Sequence, residues 1–471
     1  MKATIRSNRR QRGRTSLYRG CMTRDLRLPL ARLISLSVKV EPHEIKALTL
    51  ACLCNFMLLA SYYILRPLRD TMATVFGVGE LQLLFTGTFV VILLCAPVFA
   101  WAASKFKLTR FLPGVFWFLL VNLCVFYALF RTTSQSHWLA AAYFWWFSAI
   151  NLILISLFWT LMADLFSAGQ ATRLFAFIAA GGEIGAILGP IVTTSSAQAI
   201  GIDGLLLVAI AGFAIMIVLV HLLVREKERL RRSGHEAQST TLDHSLPGSP
   251  WRGFRLLAQS PYMMGQAAFM VLMTWIATIL YFLQTDLIAK TYAGVARRAI
   301  AFADVDLFVN ICSAIILVFG LGRVLRRFGV TASLMLSPLI MLAACFGIML
   351  APSFFMVQTA RALQRISQYA IARPSREVLF TVVDQQSKYK AKNVIDTVVY
   401  RFGDLTAAWM QAGLRAAGFA LLGAMTLGIA VSALWGLVAL KLGRRYEVLR
   451  LSTLVSPLRK MGETTAPGAN S

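Results

Sequence analysis

Long apolar segments separated by short polar loops run along most of the chain. A segment of roughly 20 residues with few charges is long enough to cross about 30 Å of hydrocarbon as an α-helix. The pattern predicts twelve such helices, at residues 46–65, 81–103, 111–130, 138–162, 174–197, 203–224, 263–285, 302–321, 330–351, 353–372, 395–416 and 419–441. The predicted fold class is therefore an all-α membrane protein with twelve transmembrane helices.

Composition strengthens this prediction and excludes several functions. The chain is 58% hydrophobic and only 14% charged, whereas about a quarter of the residues in soluble domains carry charge. Its net charge of +26 is spread over loops and tails rather than gathered on one module, so a nucleic acid is not an expected partner. The sequence has no HExxH, GxSxG, P-loop or CxxC pattern and no cluster of histidines, so neither an enzyme nor a metal or cofactor site is expected.

Lysine and arginine in short loops predict the orientation of the helices. They concentrate in every second loop, at 105–110, 225–232, 323–327 and 388–392. Because cytoplasmic loops carry the excess of basic residues, both termini are predicted to be cytoplasmic, in a bacterial inner membrane. Lys290, Arg297 and Arg298 are an exception on the outer side.

The longest internal polar stretch divides the chain into two halves. Residues 225–262 separate six predicted helices from six, and this linker contains a candidate short amphipathic helix at "WRGFRLL". The predicted parts are a basic N-terminal tail (1–45), an N-terminal half (46–224), the linker (225–262), a C-terminal half (263–441) and a C-terminal tail (442–471). The first tail has three interpretations: a lipid-attracted extension, a targeting peptide, or sequence upstream of a true start at Met22.

The two halves share a sequence pattern. "ADLFSAGQATRLFAFIAAGGEIGA" follows the fourth predicted helix, and "VDQQSKYKAKNVIDTVVYRFGDLTA" follows the tenth. The number of residues between Asp164 and Glu183 is nearly the same as that between Asp384 and Asp404. Duplicated halves are common in secondary transporters, so we expect two six-helix bundles around a central cavity, as in transporters of the major-facilitator type.

Polar residues inside the tenth predicted helix are candidates for binding an anion. Their spacing of three, four and three places them on one helical face, and they are Gln358, Arg361, Arg365 and Gln368. Two guanidinium groups one turn apart suit the oxygens of a phosphate or carboxylate. The alternative is that both arginines pair with acids of neighbouring helices, for which Glu183, Asp396 and Asp404 are available.

A second polar face lies on the first predicted helix. Its members are Asn55, Tyr62, Arg66 and Arg69. Pro67 is expected to bend or end the helix, which would place Arg66 near the outer mouth. Arg66 and Arg69 would then bind or attract an anion, with Arg69 and Asp70 as a gate; the alternative is an interfacial pair closed by Asp70.

Two further charged groups are candidates for gating or charge balance. Arg401 and Asp404 are three residues apart and can form an intrahelical pair. Glu183 lies in "GGEIGAILGP", where glycines repeat every four residues. Such a row predicts close packing between helices, while Glu183 itself is a candidate proton site or partner of an arginine.

Three motifs resemble a known family. "YYILRPLRDTM", "ADLFSAGQATRLFAFIAAGGEIGAILGP" and "RPSREVLFTVVDQQSKYKAKNVIDTVVYRFGD" are similar to motifs of the bacterial and plastid nucleotide transporters, the ATP/ADP translocases of Tlc type. The resemblance covers about residues 45 to 442. It implies a twelve-helix, major-facilitator-like antiporter that exchanges ATP or another nucleoside triphosphate for ADP or orthophosphate.

Several residues of this chain match functional motifs of the resembled family. Its basic-Pro-Leu-Arg-Asp motif falls on residues 66–70, with arginine at the first place where nucleotide exchangers often have lysine. Glu183 matches its acidic residue, and Asp396, Arg401 and Asp404 lie in its last motif. Arg361 and Arg365 come from helical spacing alone.

Three functions are open at this point. The first is an antiporter for a phosphorylated anion, a nucleotide or phosphate, acting as a monomer in the lipid bilayer with or without proton coupling. The second is a proton-coupled exporter of another, amphipathic solute, because "GAILGP" partly resembles the fifth-helix motif of major-facilitator antiporters. The third is a membrane scaffold or sensor whose charged faces would be fully paired or directed to lipid.

Overall fold

The computed structural model describes residues 41, 43–105, 108–133, 136–232, 252–383 and 385–464, and these are helical almost throughout. The N-terminal helices are α1 (Ile45–Phe76), α2 (Leu81–Lys105), α3 (Leu108–Thr132), α4 (His137–Leu165) and α5 (Ala168–Arg232). The C-terminal helices are α6 (Arg252–Gln259), α7 (Pro261–Thr291), α8 (Val295–Ile315), α9 (Leu321–Leu350), α10 (Phe354–Ser367), α11 (Arg373–Leu379), α12 (Gln385–Val394), α13 (Tyr400–Ala416) and α14 (Ala420–Thr464). The predicted N-terminal tail, apart from its last residues, and the central part of the predicted linker lie outside the described residues.

Wide turns interrupt the C-terminal helices at three points. They are π-helical turns, in which the hydrogen bonds run from residue i to i+5, at Ile316–Gly320, Gln368–Ala372 and Ile395–Val399. The second joins α10 to α11 and the third joins α12 to α13. Short 3₁₀ turns lie at Val78–Glu80 and Phe380–Val382.

Eight helical segments in the described chain are long and apolar enough to cross a membrane. They are Ile45–Phe76, Val78–Cys95, Pro113–Thr132, His137–Ala163, Arg173–Leu230, Pro261–Thr291, Val295–Leu350 and Ala420–Ser452. Two of them, with 58 and 56 residues, contain a glycine with positive φ, Gly201 at +67° and Gly329 at +77°. Residues with a side chain avoid this conformation, so each glycine marks a change in the direction of the chain. The protein is an integral, multi-pass, nearly all-helical membrane protein.

The structure corrects the predicted end of the first helix. Helix α1 does not end at Pro67 but continues to Phe76. A proline removes one backbone hydrogen bond, but a membrane bundle tolerates it where neighbouring helices pack against the helix, and Pro67 is buried in the bundle. Arg66 is therefore not at the outer mouth: its side chain is buried inside the bundle.

Two other helices extend past the predicted ends of their apolar segments. Helix α5 continues to Arg232, and α14 continues to Thr464 through most of the predicted C-terminal tail. Apolar patterning marks where a chain leaves the hydrocarbon, whereas a helix continues until its backbone hydrogen bonds stop. The predicted helix at "WRGFRLL" is confirmed as α6.

The glycine row of α5 packs directly against α1, as its spacing predicts. A Cβ atom added to Gly185 would lie 2.2 Å from the Phe56 carbonyl oxygen, and one added to Gly189 would lie 2.6 Å from that of Ala60. Only glycine permits such an approach between helix backbones. The contact fixes the face of α1 that carries Arg66 and Arg69 relative to α5.

Two main hydrophobic cores lie on either side of a polar interior. The first consists of residues 47–223 together with Tyr281, Phe282 and Ala408, and the second of residues 257–446. Helix α7 contributes residues to both cores, and α13 contributes Ala408 to the first while its Tyr400 packs against the second. These two helices therefore line the boundary between the N-terminal and C-terminal helices.

Candidate functional site

A cavity of about 500 Å³ lies between the N-terminal and C-terminal helices. Most of the residues predicted from the sequence line it: Asn55, Tyr62, Arg66, Arg69, Glu183, Arg361, Arg365, Gln368, Arg401 and Asp404. The other three predicted residues do not line it. Asp70 binds Arg69, Gln358 accepts a hydrogen bond from Gln284 over 2.8 Å, and Asp396 pairs with Arg376 at 2.5 Å.

Asp306 of α8 lies between two arginines of the cavity. Its Oδ1 pairs with Nη1 of Arg365, and its Oδ2 lies 3.8 Å from Nε of Arg66. Arg66 also donates from Nη2 to the Tyr369 hydroxyl over 3.3 Å. We call Arg66, Asp306 and Arg365 the buried triad; all three side chains are at most 10% exposed.

The buried triad corrects the sequence analysis, which named Glu183, Asp396 and Asp404 as the available acids. None of these pairs with Arg365, and the acid that does is Asp306. Asp306 lies in "DVDLFVN", within the predicted helix 302–321. The signal was an acid inside an apolar segment, where an ionisable group seldom occurs without a partner.

Arg365 has hydrogen-bond donors that are not satisfied. Its Nε and Nη2 atoms are buried and donate to no acceptor among the described residues. A guanidinium carries five N–H donors in a planar fork, and leaving such donors unsatisfied in a buried site costs free energy. An anion with several oxygen atoms would satisfy them once a movement of the neighbouring side chains opens these two atoms to the cavity.

Arg361 is held by neutral groups. Its Nε donates to Gln284 over 3.2 Å, and its Nη1 donates to the Ala277 carbonyl over 2.9 Å and to Gln364 over 2.6 Å. Its guanidinium also lies 5.4 Å from the ring centre of Tyr281. Among the described residues no carboxylate pairs with Arg361, so these contacts orient its charge without neutralising it.

Arg69 and Asp70 form a pair that is already closed. Nε of Arg69 donates to Asp70 Oδ1 over 2.9 Å, and the Tyr281 hydroxyl of α7 donates to the same oxygen over 3.1 Å. Both charged residues are on α1, so the link to the C-terminal helices is made by a neutral hydroxyl. This is the pairing with Asp70 that the sequence left open as an alternative, although it lies inside the bundle.

The predicted pair on α13 is confirmed. Nη1 of Arg401 lies 3.3 Å from Asp404 Oδ2, and the Thr278 hydroxyl donates to Asp404 over 3.3 Å. Glu183 differs, because its side chain is exposed to the cavity and forms no ion pair with the residues that the structure describes.

A further arginine was missed by the sequence analysis. Arg373, the first residue of α11, lines the cavity, 5.1 Å from the ring centre of Tyr369 and 6.0 Å from that of Tyr400. Helical spacing could not predict that Arg373 lies on the same face as Arg365, because the π-helical turn between them changes the period of the helix.

Positive charge exceeds negative charge around the cavity. Its lining contains six arginines: Arg66, Arg69, Arg361, Arg365, Arg373 and Arg401. The acids in or directly behind the lining are four: Asp70, Glu183, Asp306 and Asp404. A low-dielectric cavity with this imbalance attracts anions.

Links between the N-terminal and C-terminal helices cluster at the end of the bundle predicted to be external. Nη1 of Arg298 donates to Thr74 over 3.1 Å, and Trp409 donates to Thr86 over 3.0 Å. Nη1 of Arg415 donates to a carbonyl of the turn after α1 over 2.6 Å. Near the predicted cytoplasmic end, the pairs of Lys46 with Glu226 and of Arg376 with Asp396 each stay within one set of helices.

The architecture and the charged cavity are those of a membrane transporter, and the family is shown directly. Residues 51–375 match the model of the Major Facilitator Superfamily. The chain belongs to this superfamily.

Individual relatives are distant but similar over nearly their full length. ADP,ATP carrier protein 1 of Chlamydia pneumoniae is 22% identical over 498 residues, which cover 90% of this chain and 96% of that protein. ADP,ATP carrier protein 1 of Chlamydia trachomatis is 23% identical over 483 residues, with coverages of 87% and 90%. These similarities confirm the resemblance identified in the sequence.

Solved structures share the fold. The nucleoside transporter NupG has a TM-score of 0.55 at 14% identity and covers 87% of this chain and 99% of its own. A bacterial homologue of the iron transporter ferroportin, in an inward-facing state, has a TM-score of 0.58 at 11% identity, with coverages of 83% and 99%.

Proposed function

We propose that the protein is an antiporter that exchanges a nucleoside triphosphate for a nucleoside diphosphate or phosphate across the membrane by alternating access. The observation that carries the proposal is the pair of arginines on α10. Among the described residues, Arg361 lines the cavity without a carboxylate partner, and two nitrogen atoms of Arg365, Nε and Nη2, have no acceptor. The similarity to ADP,ATP carriers favours a nucleotide among phosphorylated anions.

The arrangement suits a polyphosphate better than a single carboxylate. Arg66, Arg361 and Arg365 line one cavity, and their forked donors match the oxygens of phosphate groups. Asn55, Tyr62 and Gln368 add neutral donors beside them. Tyr369 and Tyr400 lie beside Arg373 and offer flat faces on which a nucleobase can stack.

The proposed architecture is two six-helix halves, residues 46–224 and 263–441, joined by the linker 225–262. Each long span that contains a positive-φ glycine would count as two crossings. Residues 354–379 and 385–416 would add the remaining two, because their charged residues face the cavity rather than lipid. Asp396 and Arg401 would balance charge in the C-terminal half, and both termini would be cytoplasmic.

The contacts at the predicted external end support a carrier that is closed on that side. Alternating access requires these contacts to break when the cavity opens outward. The proposed gate includes the Arg69–Asp70 pair and its bond to Tyr281, because separation of α1 from α7 would break the bond to the hydroxyl and leave the ion pair intact.

Uptake by reconstituted protein tests the proposal. Proteoliposomes that contain ADP, or no nucleotide, would be given labelled ATP, other nucleoside triphosphates or phosphate. We expect uptake that needs internal ADP and is lost in the Arg361→Ala, Arg365→Ala double variant. Arg326→Ala, at an exposed arginine of α9, is the matched control. Absence of nucleotide and phosphate uptake by folded wild-type protein would refute the proposal.

A second candidate function is proton-coupled transport of another solute. The observation that favours it is Glu183, which is exposed to the cavity without an ion pair among the described residues. Transport driven by a pH gradient, lost in Glu183→Gln and indifferent to nucleotides, would support this function over the first.

A further inference from the structure

The buried triad links the two sets of helices through charge. Arg66 belongs to α1, whereas Asp306 belongs to α8 and Arg365 to α10. Separating α1 from α8 would therefore part Arg66 from Asp306, its carboxylate neighbour. The bond between Asp70 and Tyr281 also links the two sets, but its separation leaves Asp70 paired with Arg69.

Asp306 offers the arginines the same chemistry as a phosphate group. Its oxygens face Nη1 of Arg365 and Nε of Arg66, which are donors that would also face an anion in the cavity. The fit is incomplete, because neither Asp306 Oδ2 nor Nε and Nη2 of Arg365 form a hydrogen bond with any residue in the described part of the chain. A carboxylate with two oxygens thus occupies a site with donors for a larger anion.

We infer that Asp306 takes the place of the substrate in the empty carrier and thereby makes transport an obligatory exchange; the inference rests on the proposed function. With the cavity empty, the triad holds α1 to α8 and α10, and reorientation would leave a buried charge without its partner, which is costly. When phosphate oxygens accept hydrogen bonds from Arg66 and Arg365, these arginines no longer depend on Asp306. The loaded carrier then reorients and the empty carrier does not.

The test is the ratio of ATP uptake by ADP-loaded proteoliposomes to uptake by empty ones. In Asp306→Asn, which keeps the shape of the side chain and removes its charge, we expect this ratio to fall at least about tenfold because empty carriers now return. The matched control is Asp304→Asn on the same helix. Asp304 also links the two sets of helices, by accepting a hydrogen bond from Thr194 over 2.9 Å, but an amide oxygen can still accept that bond, so the ratio should stay at the wild-type value.

A second variant covers the case in which Asp306→Asn does not fold. Arg66→Gln removes the α1 end of the triad and leaves the pair of Asp306 with Arg365 intact. It should weaken ATP binding and also lower the ratio, whereas a binding defect alone lowers both uptakes in proportion. A wild-type ratio in folded, transporting Asp306→Asn, or in Arg66→Gln, would overturn the inference while leaving exchange established.

Failure of the proposed function has a different signature. If wild-type protein takes up no nucleotide or phosphate under either condition, antiport of such an anion is refuted, and the inference is refuted with it. If ATP uptake depends on internal ADP in the wild type and depends on it equally in the variants, the proposed exchange stands and only the role assigned to Asp306 is wrong.

Discussion

Nη1 of Arg361 donates a hydrogen bond to the main-chain carbonyl of Ala277, across 2.9 Å between α10 and α7. A backbone carbonyl cannot take up a full positive charge, but it holds the guanidinium in one orientation. Two glutamine side chains complete its contacts. The result is an oriented cation that lines the cavity and keeps its charge available for an anion.

Arg361→Ala should weaken the apparent affinity for ATP about tenfold to a hundredfold, since a lost charged hydrogen bond costs about 1–3 kcal/mol. The affinity of Arg361→Lys should lie between those of Arg361→Ala and the wild type, because lysine keeps the positive charge but lacks the forked donors of a guanidinium. The measurement is the concentration dependence of ATP uptake into ADP-loaded vesicles. Equal affinities in all three proteins would remove Arg361 from the binding site; Arg326→Ala serves as the control.

Arg298→Ala should increase opening at the predicted external end. Its guanidinium donates to Thr74 of α1 over 3.1 Å, and to the Tyr292 and Ala289 carbonyls over 2.7 and 3.2 Å. We would introduce Ser148→Cys in the cavity of a variant without native cysteines and measure its labelling by an external, membrane-impermeant reagent.

The labelling rate should rise in Arg298→Ala and stay unchanged in Arg297→Ala, because Arg297 is exposed at the adjacent position. Equal rates in both variants would show that Arg298 does not hold the external end closed.

Gly185→Ala should destabilise the protein. The new methyl group would lie 2.2 Å from the Phe56 carbonyl oxygen, so α1 and α5 must separate; overpacking of this kind costs about 1–3 kcal/mol. A lower melting temperature in detergent would confirm the effect. Gly114→Ala is the control, because a Cβ at Gly114 meets nothing within 4 Å and should leave the melting temperature unchanged or raise it.

Asp396→Asn should affect stability more than transport. Asp396 pairs at 2.5 Å with Arg376, whose side chain is only 5% exposed, and removal of the acid leaves a buried cation with less compensation. Asp286→Asn is the comparison, since Asp286 pairs with Lys290, which is 71% exposed, and such surface pairs contribute little. We expect a lower melting temperature for Asp396→Asn and an unchanged melting temperature for Asp286→Asn. A large loss of ATP affinity in Asp396→Asn would instead place this residue near the substrate.

The sequence predicted the features of this protein that depend on local pattern. Apolar segments predicted the helices, the glycine row predicted the contact of α5 with α1, and spacing predicted the pair of Arg401 with Asp404. Each depends on the 3.6-residue period of one helix or on small residues that allow close approach. The α10 arginines were found in the same way.

Features that depend on contacts between distant helices were not predicted. Asp306 and Arg365 are 59 residues apart, and helical spacing does not connect them. Pro67 was misjudged because helix-breaking strength was assumed without the packing that compensates for it. The wide turns were missed for a related reason: the one residue that each adds to a helix leaves no clear mark in the pattern of apolar and polar positions.

The turn at Gln368–Ala372 determines the shape of the cationic surface. In a continuous α-helix, Arg373 would be rotated by about 80° from Arg365, since each residue adds about 100°. The π-helical turn takes up one extra residue, so Arg373 has the orientation of a residue seven positions after Arg365 in a regular α-helix. Seven residues make nearly two full turns, so the side chains of Arg365 and Arg373 point within about 20° of the same direction. Arg361, Arg365 and Arg373 thus form a ladder of positive charge along the wall of the cavity. If the proposed function holds, the phosphate groups of a nucleotide would contact these three arginines in succession along the wall instead of binding at a single point.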